Sequence, residues 1–132
     1  MLPRRRFLHR APFEAKQPAE GSRRWLVAEL DRLVSLFVRG RDRRCVTCGS
    51  SRHLLCSHFY SRRHLALRFD LRNCNAMCAG GNRRHNHDPS SYLTYMQDRY
   101  GPGVVEELGR LKGNTRKMTD EELRGLLGQL RV

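Results

Sequence analysis

Apolar positions early in the chain fall at helical spacing. Leu26, Leu30, Leu33, Val34 and Phe37 recur every three or four residues, and Trp25 extends the same face. Ser22 stands where an N-cap is wanted and Gly40 where the run should stop. Residues 22–40 therefore read as one amphipathic helix with a scaffold role. From 41 to 88 the long helical period disappears. Residues 53–59 and 72–77 read as short strands. A basic stretch, 61–71, joins them and carries the apolar trio Leu65, Leu67 and Phe69. Cys45-Val46-Thr47-Cys48-Gly49 reads as a tight knuckle. The helical period then returns. Asp88-Pro89 is a helix start, because Asp caps and Pro is preset for the first turn. Tyr92, Met96 and Tyr100 line the face that follows, and Gly101-Pro102-Gly103 breaks it. Val104, Val105, Leu108 and Leu111 mark a further helix. Thr119 with Glu122 forms a capping box ahead of Leu123, Leu126, Leu127 and Leu130. The pattern predicts an α+β domain in which a small strand-and-knuckle centre is flanked by N- and C-terminal helices. The helical part, 89–132, is expected beside the first helix.

Composition sharpens this picture. With 132 residues the chain is expected to form a single domain, 22–132, preceded by a flexible basic arm, 1–21. Lysine and arginine number 26 against 13 acids, a formal net charge of +13. Such an excess fits a polyanion, and the arginine fork suits phosphate, so DNA is the expected partner. No stretch is apolar enough for a membrane span, and the arginine-rich arm lacks the apolar core of a secretory signal. The expected location is the cytoplasm of a prokaryotic or phage-infected cell. The 5 cysteines then suggest metal ligands rather than disulfides.

The chemistry concentrates in 41–88. Cys45-x-x-Cys48 can place two thiolates on one zinc ion from a single turn. A second half-site follows at Cys78-Ala79-Gly80-Gly81-Asn82, where Gly81 cannot bind a metal. His58 lies between the halves near the end of a predicted strand, followed by Arg68-Phe69-Asp70 and Asn73, with Asn82 directly after the second knuckle. The order His, Asn, knuckle-Asn resembles HNH nucleases. Ser57-His58-Phe59, Ser61-Arg62, Leu67-Arg68-Phe69-Asp70, Asn73, Cys78-x-x-Gly81-Asn82, Tyr92 and Tyr100-Gly101, together with the first knuckle, resemble the lambdoid phage NinG/Rap recombination endonucleases over about residues 41–111.

That resemblance implies a ββα-metal (HNH-like, His-Me finger) centre and cleavage of branched recombination intermediates such as Holliday junctions and D-loops. Phosphodiester hydrolysis needs an activated water and relief of developing charge. Neutral imidazole titrates near neutral pH, which makes His58 the candidate base. Mg²⁺ or Mn²⁺ would stabilise the charge, with Asn82 as one ligand and Asp70 as the nearest acid for another. Many HNH enzymes carry an acid just before the histidine; this chain has Ser57 there. Asn73 is expected to hold the loop around His58. Arg68 is expected to grip phosphate or to pair with Asp70. Arg62, Arg63, Arg83 and Arg84 complete the expected DNA-binding set. Structural zinc is expected on Cys45, Cys48 and Cys78, with His85 favoured over Cys74 as fourth ligand.

Blander readings stand beside these. His87 fits a solvated basic turn, Cys56 a small apolar strand residue, and Tyr92 and Tyr100 helix core. Asn73 and Asn82 suit turns and caps. Two rival functions remain: a non-catalytic zinc-ribbon DNA-binding protein, and an HNH nicking enzyme with another duty. Paired cutting of a junction would call for a homodimer by symmetry, though no dimer seam is legible.

Overall fold

A computed structural model describes residues 16–131. Most of the arm predicted over 1–21 lies outside the described residues. The first helix, α1 (Arg23–Asp42), starts where expected, with the Ser22 hydroxyl accepting from the Trp25 N–H. Leu26, Leu30, Val34 and Val38 form its buried stripe, each four residues after the last. Phe37 does not belong to it. Its side chain is 46% exposed while Val38 is fully buried, and Arg41 lies over the Phe37 ring. The helix also runs through Gly40 instead of ending there. The reason lies in the two residues beyond it. Asp42 accepts from the Ala76 N–H, and the Arg41 guanidinium donates to the carbonyls of Leu71 and Cys74. These contacts secure the last half-turn, and Arg43 ends it in the left-handed region at φ 61°.

Two strands, β1 (Leu54–His58) and β2 (Cys74–Cys78), pair antiparallel in the register Leu54↔Cys78 to His58↔Cys74. Alternation gives the ribbon two buried faces. Cys74 and Ala76 pack on Val34 and Val38 of α1. On the other face, Met77 packs with Tyr92 and Met96, and Asn75 donates to the Tyr92 hydroxyl. The stretch between the strands forms successive turns around the buried Leu67.

Cys78 closes β2 and caps α2 (Ala79–His87), its sulfur accepting from the Gly81 N–H. Asp88 then accepts from the Ser90 N–H at the start of α3 (Ser90–Tyr100). α4 (Val104–Leu111) buries Val104 and Leu108 in the cluster that holds Tyr92 and Met96. α5 (Asp120–Leu130) opens on the expected capping box, with both Thr119–Glu122 bonds formed. Leu123 and Leu127 pack on Leu26 and Leu30. The C-terminal helices are thus split. α5 lies beside α1 as expected. α3 lies on the opposite side of the sheet, where Tyr92 and Met96 meet Asn75 and share a cluster with Met77, and α4 packs on α3 through Val104 and Leu108. The architecture is α+β, with one small antiparallel sheet between helical layers. Among the described residues, no helix is long and apolar enough to cross a membrane.

Candidate functional site

The His58 end of the sheet opens into a cavity of about 500 Å³. His58 and Cys56 line it from β1, Asn82 from α2, Asp31, Ser35 and Arg39 from α1, and Arg62 and Arg68 from the turns. An adjoining cavity of about 340 Å³ shares Cys56, His58, Arg62 and Asn82. His58 and Asn82 thus face common open space, although they sit on different elements. They do so because β2 runs straight into α2, which brings the first turn of the helix back over β1.

The Nε2 atom of His58 lies 3.0 Å from the Arg68 carbonyl oxygen. A carbonyl oxygen only accepts, so Nε2 carries the hydrogen and Nδ1 keeps the lone pair. Burial pushes the ring below its ordinary pKa, and the cations Arg62 and Arg68 push the same way. The Arg68 carbonyl and Asp31 oppose this without reversing it. The neutral ring is therefore the form present near neutral pH.

The residue before the histidine is also committed. The buried Ser57 donates its hydroxyl to Asn82 Oδ1 at 2.8 Å. Asn73 is fully buried. Its Oδ1 accepts from the Tyr60 N–H at 2.9 Å, and its Nδ2 donates to the carbonyls of Tyr60 and Leu67 at 3.0 and 3.1 Å. The side chain ties the segment after β1 to the turns that carry Arg68.

Asp70 stands elsewhere. It does not line the cavity, and both its oxygens are held by the Arg72 guanidinium, with Oδ1 also accepting from the Arg72 N–H. A local turn two residues long uses up the carboxylate. Arg68 pairs instead with Asp31, through two bonds of 3.0 and 2.6 Å. Asp31 is thus the acid that faces the cavity. Its sequence signal was weak, since a polar residue beside Leu30 on an amphipathic helix is ordinary. Of the remaining arginines, Arg62 lines the cavity, whereas Arg63, Arg83 and Arg84 are exposed and do not.

At the opposite end of the sheet, the sulfurs of Cys45, Cys48 and Cys78 lie within 4.8 Å of one another. The knuckle is closed by the Gly49 N–H on the Cys45 carbonyl, with Gly49 at φ 77°. Burial opposes ionisation of Cys45. The Thr47 hydroxyl and the N–H groups of Cys78, Thr47 and Cys48 outweigh it and bring the thiol down to about 6. Three clustered thiols, one of them readily ionised, fit a soft divalent cation such as zinc.

Neither expected fourth ligand joins them. His85 lies on α2 as foreseen, but its Nε2 bonds the Phe59 carbonyl at 2.9 Å and its ring packs on Tyr92. That aromatic contact holds it away from the sulfurs. Cys74 lies beside Cys56 and His58, because it opens β2 while Cys78 closes it. The corner by Gly81 is filled differently. A Cβ at Gly81 would stand 3.0 Å from Thr47 Oγ1 and 3.2 Å from Cys45 Sγ. Thr47, to which the sequence pattern assigned no role, places its hydroxyl 3.3 Å from the Cys45 sulfur.

Compared with known families, residues 4–131 match the model described as Bacteriophage Lambda NinG protein. The chain belongs to the NinG family. The match reaches well beyond the 41–111 stretch that carries the motifs, so α1 and α5 lie within the family match. No curated protein and no solved structure matches the chain. For a NinG-family chain, the two departures seen in the sequence have local explanations. Ser57 is bonded to Asn82, and Gly81 makes room for Thr47.

Proposed function

We propose that this NinG-family protein is a metal-dependent endonuclease of the HNH (ββα-metal) kind that cuts branched DNA of recombination. One observation carries the reading. His58 lines an open cavity with Asn82, while the Arg68 carbonyl fixes its tautomer so that Nδ1 keeps the lone pair. A neutral, oriented imidazole beside an open space roomy enough for a phosphodiester is what proton removal from an attacking water requires.

The other groups divide the remaining work. A bound Mg²⁺ or Mn²⁺ would relieve charge on the phosphate. The donors that fit such a hard cation are Asn82 Oδ1 and Ser57 Oγ, with substrate phosphate oxygens and waters completing the shell. Arg68, released from Asp31, would grip phosphate, and Arg62, Arg63, Arg83 and Arg84 would carry the neighbouring backbone. Asn73 acts through the loop it holds. Zinc on Cys45, Cys48 and Cys78 would clamp the knuckle. A homodimer and a cytoplasmic location belong to the same proposal.

The rival reading, a non-catalytic DNA-binding protein, draws on one specific feature: Asn82 and Arg68 are both engaged by neighbours in this structure. Cleavage of labelled linear, forked and four-way DNA with Mg²⁺ or Mn²⁺ separates the two. The nuclease cuts branched substrates, and His58→Ala stops cutting by about a thousandfold or more while DNA affinity stays within about threefold. Binding without cutting by the wild type would establish the rival.

A further inference from the structure

A second set of soft donors lies apart from the zinc knuckle, at the far end of the same strands. Cys56 and His58 are two residues apart on β1 and so share a face, and Cys74 pairs directly opposite His58. The two sulfurs and a ring nitrogen lie within 4.8 Å of one another. We propose that Cys56, Cys74 and His58 form an exchangeable site for a soft divalent cation such as Zn²⁺, and that filling it silences the enzyme by taking the His58 lone pair. The silencing rests on the nuclease reading above; the site does not.

Four features support this. Ligands around tetrahedral zinc stand roughly 3.5–3.8 Å apart, so these donors need only small side-chain shifts to close on an ion. Two sulfurs and an imidazole favour zinc over the hard magnesium ion, so the site stays open while Mg²⁺ supports cleavage. His58 Nε2 and the Cys74 thiol both reach the Arg68 carbonyl, at 3.0 and 3.5 Å; with Nε2–H donating there, Nδ1 is the nitrogen left for a metal, and the N–H to carbonyl bond is the support that metal-binding histidines usually have. Finally, Cys74 is fully buried but Cys56 and His58 line the open cavity. Three protein ligands with solvent at the fourth position describe a site that exchanges its ion rather than one that locks it in.

The exclusivity follows from the ring. A neutral imidazole has one free lone pair. Spent on a metal, it cannot take a proton from water. Zinc bound here therefore acts on the chemical step itself and not on DNA affinity.

Cobalt tests the site without any assay of cleavage. Co²⁺ added to protein that already holds zinc at the knuckle should give sulfur-to-cobalt charge-transfer bands, saturating at a single added ion per chain. Cys56→Ala should abolish them, as should Cys74→Ala, with circular dichroism and retained knuckle zinc showing that each variant is folded. Absence of the bands in the wild type overturns the site. So does their persistence in both folded variants, or their loss in Cys48→Ser alone. A second arm tests the silencing. Rising Zn²⁺ against constant Mg²⁺ should cut wild-type turnover by roughly tenfold or more while Cys56→Ala keeps its rate. Equal inhibition of the two overturns the silencing. A wild type that cuts no DNA even without added zinc refutes the nuclease reading and the silencing together, while the cobalt spectrum still decides the site.

Discussion

Replacing Asn73 with alanine should loosen the histidine end of the sheet without touching anything that faces the cavity. The side chain makes three bonds, to the N–H and carbonyl of Tyr60 and to the Leu67 carbonyl. Removing it does not cost three equal amounts. The Leu67 carbonyl keeps a second donor, the Asp70 N–H at 3.3 Å. The two Tyr60 groups have no such second partner among the described residues. A buried backbone group left unpaired costs about 1–3 kcal/mol, and Tyr60 is only half-buried, so the lower part of that range applies to each. The expected loss is about 2–4 kcal/mol, a large share of the stability of a small domain. Asn73→Asp should be as harmful or worse. It keeps the acceptor for the Tyr60 N–H, but it turns two donations into contacts between a carboxylate and carbonyls. Urea unfolding with zinc held constant measures the change, since a metal shared between folded and unfolded chains would blur it. A loss below about 1 kcal/mol for Asn73→Ala would refute the reasoning, because it would mean that water replaces the side chain at little cost.

Other outcomes follow from the same structure. Protein purified without added zinc should hold about one zinc ion per chain at the knuckle, and Cys48→Ser should lose it together with cooperative unfolding; a folded, zinc-free wild type would remove the staple. Gly81→Cys should not tighten zinc by itself, because its Cβ meets Thr47 Oγ1 at 3.0 Å and Cys45 Sγ at 3.2 Å, an overpacking of about 1–3 kcal/mol. The double variant with Thr47→Ala should bind zinc more tightly in a chelator competition, and equal gains for single and double variants would count against the steric argument. DNA binding should fall with salt at a log–log slope of about −0.9 for each phosphate neutralised on duplex DNA; a flat response would argue against backbone contacts.

Much of this fold was legible because it depends on local periodicity. The leucine stripe of α1, the Thr119–Glu122 box and the Tyr92–Met96 face each follow from residues a few positions apart. The misses have a different origin. Phe37 fits the helical period, but the stripe that meets the sheet is set by Val34 and Val38 against Cys74 and Ala76, residues far along the chain. Gly40 is a reasonable stop in isolation, yet Asp42 is held by Ala76 across the fold. The candidate site divides in the same way. The knuckle cysteines were legible from their spacing. That Asp31, and not Asp70, faces the cavity beside Arg68 depends on how α1 lies across the turns, which no local pattern encodes. Cys56 packs against the Val34, Val38, Cys74 and Ala76 cluster as a small apolar strand residue should; that its sulfur also lies near Cys74 and His58 depends on the strand register, with Ala76 opposite Cys56 and Cys74 opposite His58.

The geometry also answers why so small a sheet can hold a site in place. Two strands alone are marginal in water, and five residues each is short. Here the ribbon is fastened at both ends and on both faces. The Leu54–Cys78 end adjoins the knuckle, where the Val46 N–H donates to the Ala76 carbonyl and Cys78 joins the sulfur cluster. The His58–Cys74 end is clasped by Asn73, while the Phe59 N–H reaches its carbonyl. One face is covered by α1 and the other is met by Tyr92 and Met96 of α3, which α4 backs in turn. Asn82 inherits this rigidity because it begins one turn into a helix capped by the last strand residue. A strand–strand–helix unit this short therefore positions His58 and Asn82 through what surrounds it. It follows that loss of the zinc knuckle should displace Asn82 before it displaces His58, since α2 is anchored by Cys78 while His58 is also held by the Arg68 carbonyl. Amide exchange in the wild type, as a chelator gradually withdraws zinc from the knuckle, would show this as early loss of protection over 79–87, with β1 protected for longer. Simultaneous loss over both segments would mean that the ribbon and the helix open as one unit.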